Sequence, residues 1–133
     1  MTKKLSELFD LDLLKREIDE DSTIADAIDV MKGCNYNCLL VKNGDGIGVG
    51  IISEHDLVTA FAKEGDNAKT SYVSDFMQVD ITCASENDTL DNVVKLMAEN
   101  DLRVIPIVSD EGYVISFLSI MDLLMAKMQM TNP

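Results

Sequence analysis

The chain has 133 residues, 47% of them hydrophobic and 26% charged, with a formal net charge of −13 at pH 7. That length suits one ordinary domain with a real hydrophobic core, and the composition is that of a globular chain, not a disordered one. The acidic excess argues against extended nucleic-acid or anionic-membrane binding, since both need a basic face, but a small anionic ligand needs only one or two well-placed cations.

Leu5-Ser6-Glu7-Leu8-Phe9 reads as a short opening helix. The segment after it is broken by Asp10 and Asp12, so with Glu7 it cannot serve as the apolar core of a signal peptide, and no apolar run reaches transmembrane length. An acidic run from Asp10 to Asp21 follows. Ile24, Ala27, Ile28 and Met31 then fall at the i, i+3, i+4, i+7 spacing of a helix with one buried face, with Ser22 as its expected N-cap and Gly33 as its expected end. Asn37 to Val41 is an apolar strand, Asn43-Gly44-Asp45-Gly46 a turn, and Ile47 to Ile52 the returning strand of a hairpin. A helix from Glu54 to about Lys63 and a polar loop to Thr70 complete the first half.

The whole pattern then returns. Val73-Ser74-Asp75-Phe76-Met77 matches the opening helix at a shift of 68, and from Asp88, over Ser22, a shift of 66 holds without a gap. Leu90, Val93, Val94 and Met97 repeat the helical stripe, with Asp88 as the expected cap. Arg103-Val104-Ile105-Pro106-Ile107 repeats the first strand, Ser109-Asp110-Glu111-Gly112 the turn, and Tyr113 to Leu118 the returning strand. Pro106 cannot donate to a ladder and is expected near an edge or strand start. A last helix runs from Ile120 to about Met130. The near-continuous apolar strands indicate sheets covered on both faces.

The repeat is sharpest at two corners, Gly50-Ile51-Ile52-Ser53-Glu54-His55-Asp56-Leu57 and Ser116-Phe117-Leu118-Ser119-Ile120-Met121-Asp122-Leu123. Each reads as a strand ending at a serine that caps the next helix, with an aspartate in that helix's first turn. The free N–H groups of a helix start favour an anion, and a carboxylate beside them accepts hydrogen bonds from a sugar diol. Two such corners give two candidate sites for one kind of ligand.

In order and spacing these segments resemble a tandem pair of cystathionine-β-synthase (CBS) domains, a Bateman module. The residues that carry the likeness are Val73 to Met77, Val79-Asp80-Ile81-Thr82, the two hairpins and the two serine–aspartate corners. The resemblance implies an α/β (α+β) fold of two βαββα repeats packed sheet to sheet with pseudo-twofold symmetry. The chain is then a single module over 1–133, with repeat one at about 1–63, a linker at about 64–70 and repeat two at about 71–130. It also implies a stand-alone regulatory module that binds an adenosine-containing ligand (AMP, ADP, ATP, S-adenosylmethionine or a cyclic dinucleotide) and signals to an unknown protein target. In such modules the corner of one repeat joins the lead-in and first strand of the other. Ser53, His55 and Asp56 are thereby expected to face Thr82, Cys83, Ala84, Arg103, Val104 and Ile105. Ser119 and Asp122 are expected to face Ile18, Asp19, Asn37, Cys38 and Leu39. Arg103 stands where the family often places a phosphate-binding cation, whereas its counterpart Asn37 is uncharged, so the cleft of Asp56 and Arg103 is the expected working site.

Each of these residues also has a plainer reading. First-turn aspartates often only complement the helix dipole. Gly44 to Gly50 lacks the lysine and serine or threonine of a P-loop and suits a hairpin better. His55, the only histidine, is often a solvated first-turn side chain. Cys34, Cys38 and Cys83 are too few for a structural zinc site and suit buried packing, so no metal is expected. No nucleophile has a base beside it, and the chain reads as a non-enzyme with no required cofactor. Three reduced thiols with nothing pointing to secretion suit the cytoplasm. The methionines and leucines of the last helix, Met125 and Met128 among them, continue round the cylinder and predict a homodimer. The competing readings are a structural dimerisation module with vestigial clefts and a thiol or metal sensor.

Overall fold

A computed structural model describes residues 3–11, 16–34, 37–80 and 82–131, apart from the side chains at 34, 130 and 131. Asp12, Ile81 and the side chains of Cys34 and Met130, which enter the sequence reading, lie outside the described residues. In chain order the elements are α1 (Leu5–Leu8), β1 (Glu17–Asp19), α2 (Ile24–Cys34), β2 (Cys38–Lys42), β3 (Gly48–Ser53), α3 (Glu54–Glu64), β4 (Ala84–Ser85), α4 (Leu90–Asn100), β5 (Val104–Val108), β6 (Val114–Ser119) and α5 (Ile120–Thr131). Two βαββα runs are therefore present, β1 to α3 and β4 to α5, and the class is α/β as expected.

The chain divides into two compact units. In the unit of residues 16–81, β1 pairs parallel with β2, and β2 pairs antiparallel with β3 in the register Cys38↔Ser53 to Val41↔Gly50. Ile24, Ala27 and Met31 of α2 and Leu57 and Ala60 of α3 cover this sheet, packing on Ile18, Leu39, Val41 and Ile52. The helical spacing read from the sequence thus marks the buried face. The cap lies one residue later than expected: Thr23 Oγ1 accepts from Asp26 N–H (3.1 Å) and Thr23 N–H donates to Asp26 Oδ2 (3.0 Å), a reciprocal capping box. Ser22 instead uses its carbonyl to accept from Val73 N–H (2.8 Å). Gly33 lies inside α2, not at its end.

The second unit joins residues 82 onward to the chain's first segment. Here β4 pairs parallel with β5, and β5 antiparallel with β6 from Val104↔Ser119 onward. Thr89, not Asp88, caps α4 by accepting from Asn92 N–H (3.3 Å), while Asp88 Oδ2 accepts from Ser85 N–H (2.8 Å). Pro106 is buried in the middle of β5. It is tolerated there because the short β4 pairs only with Ile107 and Val108, so that ladder stops before reaching it. Both hairpins turn on a glycine with positive φ, Gly46 at 78° and Gly112 at 88°.

The repeats in sequence and the units in space divide the chain differently. Leu5 is fully buried in the core of the second unit, beside Leu90, Val93 and Leu118, and its N–H donates to the Asp88 carbonyl (2.9 Å). The matching Val73 is fully buried in the core of the first. Residues 65–70, expected as a loop, wind into a 3-10 helix with Ala68 buried, and so return Val73 to the unit that precedes it. Each opening segment therefore packs with the repeat that its sequence position does not suggest. Burying one such leucine or valine contributes about 1.5–3 kcal/mol.

Candidate functional site: the two serine–aspartate corners

β3 ends at Ser53, whose backbone is extended (φ −116°, ψ 170°), and α3 begins at the next residue. Ser53 N–H and Oγ–H both donate to Asp56 Oδ2, at 2.8 and 3.0 Å. Asp56 N–H in turn donates to Ser53 Oγ at 3.4 Å. The second corner repeats this geometry: Ser119 N–H and Oγ–H donate to Asp122 Oδ2, each at 2.9 Å, and Asp122 N–H donates to Ser119 Oγ at 3.2 Å. The serine caps its helix while the aspartate is locked in one rotamer, so each carboxylate is held ready in the field of a helix start.

The corners differ at Oδ1. Asp56 is buried, at 7% exposure, and its Oδ1 accepts from the side-chain amide of Gln78 at 2.9 Å. Asp122 is only half-buried, and among the described residues no hydrogen bond reaches its Oδ1. Gln78 is fixed by two backbone bonds to Ile51, N–H to carbonyl at 2.8 Å and carbonyl to N–H at 3.0 Å. This approach needs a glycine: a Cβ on Gly50 would stand 2.5 Å from the Gln78 carbonyl oxygen. In the second repeat the matching position is Ser116, whose hydroxyl is fully buried and, among the described residues, has no hydrogen-bond partner.

The strand starts lie beside the corner of their own unit. Glu54 N–H donates to the Asn37 carbonyl (3.1 Å), and Cys38 is the ladder partner of Ser53. Likewise Ile120 N–H donates to the Arg103 carbonyl (3.0 Å), and Val104 is the ladder partner of Ser119. The structure thus groups Asn37, Cys38 and Leu39 with Ser53 and Asp56 in one unit, and Arg103, Val104 and Ile105 with Ser119 and Asp122 in the other. Asn37 and Arg103 are exposed, Leu39 and Ile105 buried. Ile18 is buried in β1 beside Val41, Asp19 is exposed, and Ala84 is buried in β4. Thr82 is exposed and Cys83 half-buried. His55 is exposed in the first turn of α3, where its carbonyl accepts from Thr59 Oγ1 (3.0 Å).

Neither Cys38 nor Cys83 carries an activated thiol. Burial, reinforced by the nearby Asp56 charge, pushes the Cys38 thiol from 9.0 up to about 12, and burial also raises Cys83. Both stay protonated near neutral pH, which suits packing and not nucleophilic or redox chemistry. Among the described residues no group of three or more His, Cys, Asp or Glu side chains is placed to hold a metal ion. No helix among them is long and apolar enough to cross a membrane.

The family description "CBS domain" matches twice, at residues 17–63 and 73–129. The chain belongs to the CBS domain family. Solved CBS proteins share its fold. The CBS-domain protein ATU1752 of Agrobacterium tumefaciens is 25% identical with a TM-score of 0.79, covering 96% of this chain and 95% of that one. CBSX2 of Arabidopsis thaliana, solved in complex with AMP, has a TM-score of 0.82 at 18% identity, covering 97% and 98%. The CBS pair of MJ0100, solved with 5′-methylthioadenosine and S-adenosyl-L-methionine, has a TM-score of 0.79 at 21% identity, covering 98% and 100%. Among curated proteins, the inosine-5′-monophosphate dehydrogenase of Methanocaldococcus jannaschii is 30% identical over 122 residues, 92% of this chain but 23% of that enzyme. The meiotically up-regulated gene 70 protein of Schizosaccharomyces pombe is 30% identical over 91 residues, 68% of this chain and 12% of that protein. The chain spans less than two thirds of the length of these curated relatives.

Sequence reasoning placed both corners but missed Gln78. The available signal was its position directly after Val73 to Met77, together with a glycine at 50 where the second repeat has Ser116.

Proposed function

We propose that the chain is a regulatory CBS module that binds an adenosine-containing ligand, reports its presence to a protein target, and itself catalyses no reaction. The observation that carries this reading is the duplicated corner, in which a serine-locked carboxylate lies in the first turn of a helix that starts at a strand end. That arrangement suits a ribose diol, with a phosphate at the helix start. Adenosine is the part common to the AMP on CBSX2 and the two ligands on MJ0100, and it supports the same choice here.

The ligand-binding residues of this reading are Ser53, His55 and Asp56 acting with Thr82, Cys83, Ala84, Arg103, Val104 and Ile105. A second set is Ser119 and Asp122 with Ile18, Asn37, Cys38 and Leu39. Arg103 supplies the cation for a phosphate, so Asp56 and Arg103 are expected to matter more than Asp122. Thermal-shift measurements with AMP, ADP, ATP, S-adenosylmethionine and cyclic di-AMP should raise the melting temperature for at least one, because a ligand that binds only the folded state stabilises it. Isothermal titration should then show Asp56→Asn and Arg103→Ala weakening binding roughly tenfold or more, since each removes a charged hydrogen-bond partner. Equal losses for Asp122→Asn would overturn the preference for the Asp56 set. A flat screen would favour the alternative, a structural dimerisation module with vestigial clefts.

The module is also proposed to be a homodimer of the cytoplasm. The buried, free Cys38 suits a reducing compartment. The apolar face of α5, where Ile120, Met121, Leu124, Met125 and Met128 are all exposed, supports pairing with a second copy.

A further inference from the structure

We propose that Gln78 is an internal competitor for the ligand's ribose, holding the acceptor of Asp56 that a sugar diol needs, so that binding at this corner requires its release. This rests on the adenosine reading above. A carboxylate offers about four acceptor positions. On Asp56, Ser53 N–H and Oγ–H fill two at Oδ2 and the Gln78 amide fills a third at Oδ1. One position remains, whereas a cis-diol brings two donors. On Asp122 the same serine contacts leave Oδ1 open among the described residues, and a diol fits without displacing anything.

The contact is built into the chain. Gln78 reaches Asp56 across 22 positions of sequence, held at its backbone by Ile51 on both sides and admitted by the bare Gly50. Continuing the shift of 68 that relates residues 5–9 to 73–77, the sequence counterpart of Gln78 is Asp10, and a carboxylate has no proton to donate to Asp122. The amide itself belongs to an exposed residue, so it can swing into solvent without disturbing the core. The free protein thus satisfies its buried carboxylate with its own donor, and the ligand exchanges one amide donor for two hydroxyls. The alternative is that Gln78 orients Asp56 and thereby helps binding, which has the opposite sign.

The experiment compares AMP with 2′,3′-dideoxy-AMP by isothermal titration on wild type, Gln78→Ala and Gln78→Met, with thermal melts to check folding. Methionine keeps the length of the side chain but cannot donate. Both variants should bind AMP more tightly than wild type by roughly tenfold or more, the worth of one hydrogen bond to a charged group. Affinity for the dideoxy nucleotide, which has no diol to exchange, should not change. Weaker or unchanged AMP binding in the variants overturns the competitor role, as does an equal gain for both nucleotides or a gain in Gln78→Ala alone. Binding that appears only in the variants supports it in its strongest form. If neither wild type nor any variant binds AMP or any of the other four adenosine ligands, the adenosine reading itself fails, an outcome separate from the others.

Discussion

Helices α3 and α5 hold the same place in the two repeats but present opposite surfaces. Position by position at the shift of 66, Glu54, His55, Val58, Thr59 and Ala62 of α3 become Ile120, Met121, Leu124, Met125 and Met128 of α5. Of the first set only Val58 is a large exposed apolar residue, whereas all five of the second are. The grooves beside these helices follow suit. The one between α2 and α3, about 560 Å3, is lined by Arg16, Lys32, Asn37 and Glu54 over an apolar floor. Its counterpart between α4 and α5, about 230 Å3, is lined by Val94, Met97, Leu102, Ile120, Leu123 and Leu124, with Asp101 as the one charged residue among the described residues that line it. One scaffold thus carries a helix with a polar outer face and one with an apolar outer face. The buried faces are conserved between the copies because each must cover a three-stranded sheet; the outer faces are free to differ.

The most drastic way to break this comparison is to charge each outer face in turn. Met125→Glu with Met128→Glu should convert a dimer to a folded monomer, read by light scattering behind size exclusion, while Val58→Glu on α3 should leave the dimer intact. Methionine suits such a contact because its flexible, polarisable side chain tolerates the self-complementary packing of an isologous interface. A wild-type monomer at high micromolar concentration would sink the proposal. A double variant that unfolds would instead assign this face to the protein's own core.

The two corners offer a finer contrast. Gly50→Ala would place a methyl group 2.5 Å from the Gln78 carbonyl oxygen, a backbone atom that must move. The expected cost is about 1–3 kcal/mol of unfolding free energy by chemical denaturation, typical of a side chain forced into packed surroundings. A substitution there with no loss of stability would mean that the 77–79 segment detaches freely from β3.

How far the sequence could take this reading follows from what kind of physics fixed each part. The helices and hairpins were legible because burial of one face imposes a period, seen in Ile24, Ala27 and Met31 and again in Leu90, Val93 and Met97. The corners were legible because capping is local, with serine and aspartate three residues apart. The caps of α2 and α4 slipped by one residue because Ser22 and Thr23, or Asp88 and Thr89, are both able to cap, and the fold chose the threonine in each case. The exchange of opening segments between units was invisible: a shift of 68 says that residues 5–9 and 73–77 are alike, not which sheet each will join. Gln78 was missed for the same reason, since a side chain donating to a residue 22 positions away leaves no periodic trace.

The smallest expected effect lies at Ser116, and it has the opposite sign from Gly50→Ala. Its hydroxyl is fully buried and, among the described residues, has no hydrogen-bond partner. Its ladder partner Ile107 and its neighbours along the core, Phe117 and Leu118, are apolar and buried. An unmade hydrogen bond in such surroundings costs about 1–3 kcal/mol, whereas the hydroxyl's oxygen adds little packing. Ser116→Ala removes the unmet donor and acceptor and leaves only a one-atom void. It should therefore raise unfolding free energy by roughly 1 kcal/mol, toward the low end of that penalty because the void returns part of the gain. Chemical denaturation of Ser116→Ala beside Gly50→Ala should move the midpoint in opposite directions. A loss of stability in Ser116→Ala would mean that the hydroxyl is satisfied in solution.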